Sequence, residues 1–189
     1  FEPGGVALYA IRPDGTGPIP SLARAALAPL VSQVMQLQGA IKAIDAELLA
    51  WHRQNAASRR LETIPGIGFI TASAIAATVT DPSHFRSGRQ FAAWLGLVPR
   101  QSSSGGKERL GSISKMGDRY LRTLLVVGAT SVIRYARGKN AAGAAWINGL
   151  LARRPARLVS VALANKTARI AWAVLTEERD YRKPALTAG

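Results

Sequence analysis

Wherever apolar residues recur in this chain, they recur at threes and fours, and no segment alternates. Spacing by threes and fours lines one face of a helix, whereas alternation would line one face of a strand. From Leu22 to about Asn55 the stripe is Leu27, Leu30, Val34, Leu37, Ile41, Ile44, Leu48 and Trp51. A second stripe, Leu121, Leu124, Leu125, Gly128 and Val132, follows Asp118, which can cap it. A last helix reads from roughly Ala156 to Thr176, and a short one lies around Trp146. Alanine occurs 33 times, which suits closely packed helices. The expected fold is all-α: a helical, coiled-coil-like arm, then a helical domain.

Punctuation divides the chain. Residues 1–20 carry Pro3, Pro13, Pro18 and Pro20 among glycines and read as an irregular lead-in. Residues 21–57 form the arm, with Ser21 as N-cap and Pro29 placed to kink or restart its helix. Its narrow, heptad-like stripe fits a self-association arm, and equally a helix packed on its own domain. Residues 58–183 form the domain and 184–189 a tail. Inside the domain, Ser87 with Gln90 resembles a capping box opening a helix that stops at Gly96. Residues 98–117, rich in serine and glycine, read as a loop.

Charge narrows the partners. The net charge is +14 over 189 residues. The first 57 residues are neutral, so the whole excess lies beyond them, and ten basic residues with no acidic one fall between Arg119 and Thr176. A field of one sign attracts a polyanion, with nucleic acid the first candidate. No apolar window of about 18 residues is free of charge, so no transmembrane helix is expected, and no signal peptide is visible. An anionic membrane surface is the runner-up, but the basic residues are not segregated on one amphipathic helix, so no membrane partner is expected. The expected location is cytoplasmic. Cysteine is absent, which excludes disulfides, a cysteine zinc site and a thiol nucleophile. The chain starts at Phe1, which fits a piece of a longer protein.

The most specific local signal runs from Leu61 to Ile75 around Ile64-Pro65-Gly66-Ile67-Gly68. A helix ends, a Pro-Gly-x-Gly turn follows and a second helix starts, which resembles a helix-hairpin-helix element. Glycines let backbone N–H groups approach a phosphate, and the second helix adds its dipole. Pro65, Gly66, Ile67 and Gly68 are therefore candidate DNA-backbone contacts, which position DNA without reading its sequence. The alternative is a tight turn that only packs.

The second constellation follows at 100–122. Ser102, Ser103 and Ser104 precede Gly105 and Gly106, with Arg100, Lys107, Arg109 and Lys115 around them and Arg119 and Arg122 on the next helix. These cations could hold a phosphodiester and stabilise charge built up when an oxygen attacks it. A serine nucleophile would still need a base or a metal. A DNA-contacting loop without chemistry is the alternative. His52 and His84 read as surface histidines, and the acidic residues of the basic part are not spaced as a metal-binding cluster.

From Leu61 to Tyr181 the chain resembles the C-terminal transposase domain of the insertion sequence 110 transposase family, nearest its 1111 subgroup. The segments that carry the resemblance are Ile64–Gly68, Phe85–Pro99, Ser104–Lys107, Ile113–Arg122 and Ala162–Trp172. The resemblance implies site-specific DNA recombination of a mobile element guided by an RNA. It implies a RuvC-like domain with four acidic ligands for Mg2+, a coiled-coil linker matching the arm, and this domain with a catalytic serine. The family's serine-glycine motif maps onto Ser104-Gly105, making Ser104 the expected nucleophile, with Ser102 and Ser103 adjacent. No cofactor is expected within this chain. The expected partners are double-stranded DNA, a guide RNA and further copies through the arm. Taken alone, the polypeptide is expected to be catalytically incomplete.

Overall fold

A computed structural model of the chain describes residues 20–104, 107–137 and 143–182. The lead-in 1–19, Gly105, Gly106 and the tail from 183 lie outside the described residues. Helix α1 spans Ser21–Gln54 and contains Pro29, so Ser21 belongs to the helix and Pro29 neither ends nor restarts it. Contacts divide the chain within α1, into a unit ending at Leu48 and a second unit starting at Leu49. In the first, Leu27, Leu30, Val34, Leu37, Ile41 and Ile44 are all exposed, leaving the heptad seam uncovered.

The second unit begins with the last turn of α1. Asn55 then caps α2 (Ala56–Glu62), its side chain accepting from Ser58 N at 2.8 Å. A turn leads to α3 (Phe69–Thr78). A 3-10 turn over Pro82–His84 is capped by Asp81, which accepts from Ser83 N. Hydrogen bonds from Ser83 hold the Asp81 carboxyl below its ordinary range, with a smaller contribution from His84.

Helix α4 (Gly88–Trp94) opens as expected at Ser87, which accepts from Gln90 N at 3.3 Å. Gln90 reaches back to Arg86 N at 2.6 Å, one residue before the position a strict capping box uses. Gly96 then takes φ +71° and turns the chain. Helix α5 (Arg119–Ala136) is capped by Asp118 through Leu121 N at 2.8 Å. Helix α6 (Ala144–Leu151) and the long α7 (Ala156–Glu177) complete the unit.

The fold is all-α with one exception. Residues 99–113, expected as loop, pair as antiparallel strands β1 (Pro99–Ser104) and β2 (Lys107–Ile113). They are polar and carry no apolar alternation, so nothing in their pattern separates a two-stranded ribbon from a loop.

Helix α7 is the spine of the core. Val159, Leu163, Ala164, Ala168, Ala171 and Val174 are buried along it, and α2, α4, α5 and α6 all pack on it. By length and composition α7 could cross a membrane, which the charge-free-window criterion had not registered. Half of its apolar window is buried inside the protein, which accounts for the composition. Phe91 is enclosed against Phe85 and Trp94, with ring centroids 5.1 and 5.8 Å away.

Candidate nucleic-acid interface

The turn between α2 and α3 is built by two glycines with different duties. Ile67 N donates to Ile64 O at 3.0 Å, with Pro65 and Gly66 between them and Gly66 at φ +89°. That places proline and glycine where a type II turn wants them. Gly66 faces inward: a Cβ there would lie 2.9 Å from Val132 Cγ2 and 3.0 Å from Gly128 O on α5. Gly128 is equally constrained, since its Cβ would overlap the Gly66 carbonyl oxygen. Gly68, by contrast, has nothing within 4 Å of its Cβ position. It is the N-cap of α3 and supplies no side-chain hydrogen bond to the first turn. Ile67 is buried at 4% and packs in the core, while Pro65 is exposed. Of the four residues expected at a phosphate, Gly68 and Pro65 face solvent, Gly66 packs, and Ile67 offers only backbone.

The β1–β2 hairpin rises from an interlocked neck. Ser114 N donates to Val98 O at 2.8 Å, and Lys115 N donates to Gly96 O at 3.1 Å. Lys115 itself lies at φ +55°. A Cβ at Gly117 would overlap the Trp94 carbonyl oxygen, and one at Gly96 would lie 2.9 Å from Met116 N. Two side chains from the helices close the neck. Arg122 Nη1 donates to Leu95 O at 3.0 Å and, more weakly, to Gly117 O and Asp118 O at 3.5 Å. Asn165 Nδ2, from α7, donates to Leu97 O at 3.1 Å. Above the neck, Ser104 pairs with Lys107 and Ser102 with Arg109 across the ribbon. Ser104 therefore ends β1, opposite the first residue of β2.

The cations expected around the serines fall into two groups. Arg100 and Arg122 spend guanidinium donors on backbone carbonyls of the neck, Arg100 on Ser114 O at 3.2 Å. Lys115 and Arg119 are exposed at its outer rim. Lys107 and Arg109 lie on β2, one at the tip and one two residues below it.

His52, expected at the surface, is 3% exposed. Its Nε2 is 2.8 Å from Glu62 Oε2 and its Nδ1 is 2.7 Å from Ser58 Oγ, which in turn lies 3.4 Å from Ser73 Oγ. A carboxylate only accepts, so Nε2 donates to Glu62. The series Glu62, His52, Ser58 has the order of a nucleophilic triad, but Ser58 is fully buried and no substrate can reach it. It is a structural network that fastens the last turn of α1 to α2 and α3. The sequence signal for it is faint: a histidine six and ten residues before two polar groups of the next helix. His84 is exposed, 3.6 Å from Asp81. Among the described residues, no three His, Cys, Asp or Glu side chains gather where they could hold a metal. The Mg2+ that the resemblance assigns to a RuvC-like region thus has no ligand set among them.

Gly128 falls on the stripe read from the sequence, but its contact with Gly66, like the neck roles of Asn165 and Gly117, has no local sequence signal. Only their long-range contacts identify them.

Residues 58–143 match the family described as Transposase IS116/IS110/IS902. The chain is 51% identical over 165 residues to a probable family 20 transposase of Pseudomonas aeruginosa, covering 87% of this chain and 49% of that protein. It is 42% identical to the transposase for insertion sequence element IS1111A of Coxiella burnetii, over 81% of this chain and 42% of the relative. A pilin gene-inverting protein of Moraxella lacunata is 29% identical, over 65% of this chain and 38% of that protein. The chain spans about half, or less, of the length of these relatives. Over residues 58–143 the chain carries the transposase domain of the IS116/IS110/IS902 family.

Proposed function

We propose that this polypeptide is the DNA-binding and serine-nucleophile portion of a transposase that moves an insertion sequence by site-specific recombination. The family match over residues 58–143 carries the reading, and the hairpin supports it, since the backbone of Ser102–Ser104 ends β1 beyond the neck. In the proposed step, a serine oxygen, Ser104 Oγ, forms an ester with a DNA phosphorus and one deoxyribose oxygen leaves, so one phosphoester is exchanged for another. The hydroxyl proton passes to a base outside the described residues. Lys107, Arg109, Lys115 and Arg119 hold the phosphodiester and offset the charge that builds on its oxygens. In this reading a RuvC-like region with Mg2+ and a guide RNA complete the enzyme, copies associate through α1, and the protein works in the prokaryotic cytoplasm at the nucleoid. The turn at 63–68 acts as a helix-hairpin-helix phosphate contact through Gly68 and the first N–H groups of α3.

The test is strand transfer by a full-length protein carrying this domain with Ser104→Ala. Loss of the covalent protein–DNA product with duplex binding retained is expected, and undiminished product would refute the nucleophile. A second reading, a DNA-binding module without chemistry, is favoured by one observation: Gly66 is used for packing against Gly128 rather than for approach to a ligand. It expects serine substitutions to change nothing.

A further inference from the structure

Helices α5 and α7 run antiparallel. Thr130 Oγ1 lies 3.3 Å from Ser160 Oγ, while Arg122 and Asn165 hold the same Leu95–Leu97 segment. One turn beyond Thr130 stands Arg134, and one turn before Ser160 stands Arg157, so both arginines stand at the end of the helix pair farthest from the hairpin. The α6–α7 connection brings Arg153 and Arg154 to the same end. All four are exposed, and Arg153 keeps only Nε on a backbone carbonyl, Gly149 O at 3.1 Å. No acidic residue lies between Arg119 and Thr176. Glu177, at the far end of α7, is 20 residues from Arg157, about 30 Å along a helix. The cluster therefore has a positive field with no internal counter-charge.

Its place on α5 gives it a direction. Arg119, Thr123, Thr130, Arg134 and Arg137 are all exposed and fall within one narrow stripe at 100° per residue. The stripe carries cations at both ends and neutral side chains between. From Arg119 to Arg137 it is about 27 Å long at 1.5 Å per residue, or about 8 base pairs at 3.4 Å each.

We infer that Arg134, Arg153, Arg154 and Arg157 form a second phosphate station for the same DNA duplex that meets the hairpin, so the duplex lies along the outer stripe of α5. The inference rests on the duplex-binding reading given under Proposed function and extends its footprint to surface that the two sequence motifs do not include. Thr123 and Thr130 let the backbone pass between the stations without repulsion. Contacts of this kind set affinity and register but not sequence.

The experiment uses the 189-residue chain and a variant with Arg134→Ala, Arg153→Ala, Arg154→Ala and Arg157→Ala, alongside its all-Lys counterpart. Circular dichroism checks that both fold. Affinity is read by fluorescence anisotropy across a salt series on a 24-base-pair duplex, a 6-base-pair duplex and a single-stranded RNA of 24 nucleotides. On the long duplex the Ala variant should bind at least about tenfold more weakly near physiological salt. Its log–log salt slope should be shallower by roughly 3 to 4, about 0.9 per lost contact. The Lys counterpart should bind close to the parent. On the short duplex, which cannot reach both stations, parent and Ala variant should differ little.

Absence of duplex binding by the parent itself would overturn the DNA reading. Parent binding with an unchanged Ala slope on the long duplex would overturn this inference alone. A loss equal on short and long duplexes would overturn the shared track, and a loss confined to the RNA would overturn the choice of duplex.

Discussion

At the residue scale, two glycines, one on α5 against the turn and one within it, predict opposite outcomes. Gly128 is pressed against the Gly66 carbonyl, so Gly128→Ala must push the turn off α5. A gain in helix propensity below about 1 kcal/mol does not offset this. The expected loss is about 2 kcal/mol, a fall in melting temperature of roughly 4–8 °C, read by thermal denaturation. Gly68 stands in open space. Gly68→Val should cost no more than about 1 kcal/mol as a poorer N-cap, yet weaken duplex binding measured by anisotropy. Unchanged affinity would mean that the turn only packs.

These two positions also mark the limit of reading single residues from sequence. The Pro-Gly-x-Gly pattern announced the turn because proline and glycine have fixed local preferences. Which glycine faces the core depends on a helix 60 residues away. His52 fails for the same reason: its partners Ser58 and Glu62 are near in sequence, but its burial is created by α3, through Phe69 and Ser73.

At the element scale, the hairpin is the part least legible in advance. The caps at Ser87 and Asp118 and the stop at Gly96 follow from local chemistry and appear where expected. The strands do not, because Ser102-Ser103-Ser104 opposite Lys107-Glu108-Arg109 has no apolar face to reveal its period. What holds them is the neck, through Arg122 and Asn165. Asn165→Ala removes the bond to Leu97 O, worth about 1 kcal/mol. Hydrogen–deuterium exchange should then quicken in residues 97–104 and 107–114 while the buried turns of α7 keep their protection. Equal loss of protection throughout would show that Asn165 supports the core rather than the hairpin.

At the scale of the whole molecule, charge and apolar surface are separated along the chain. The exposed heptad seam of α1 lies in the neutral part, and both basic stations lie in the domain. Val34 and Ile41 alternate along the seam with Leu30 and Leu37, the pattern of β-branched and leucine layers found in two-stranded coils. If copies associate there as proposed, Ile41→Asp with Ile44→Asp should shift sedimentation from oligomer to monomer while leaving the domain's melting unchanged. A monomeric parent would count against the arm as an oligomerisation element.

The neck has a further consequence, for how such a domain can change over generations. Its two strands of backbone meet at Gly96 and Gly117, so the ribbon beyond them is a closed excursion whose ends are already together. Apart from the residues proposed to meet DNA, its length and composition can change without a rearrangement of the helices that carry it. Gly96, Gly117, Arg122 and Asn165 have no such freedom, since each is held against a main chain that no substitution can move aside.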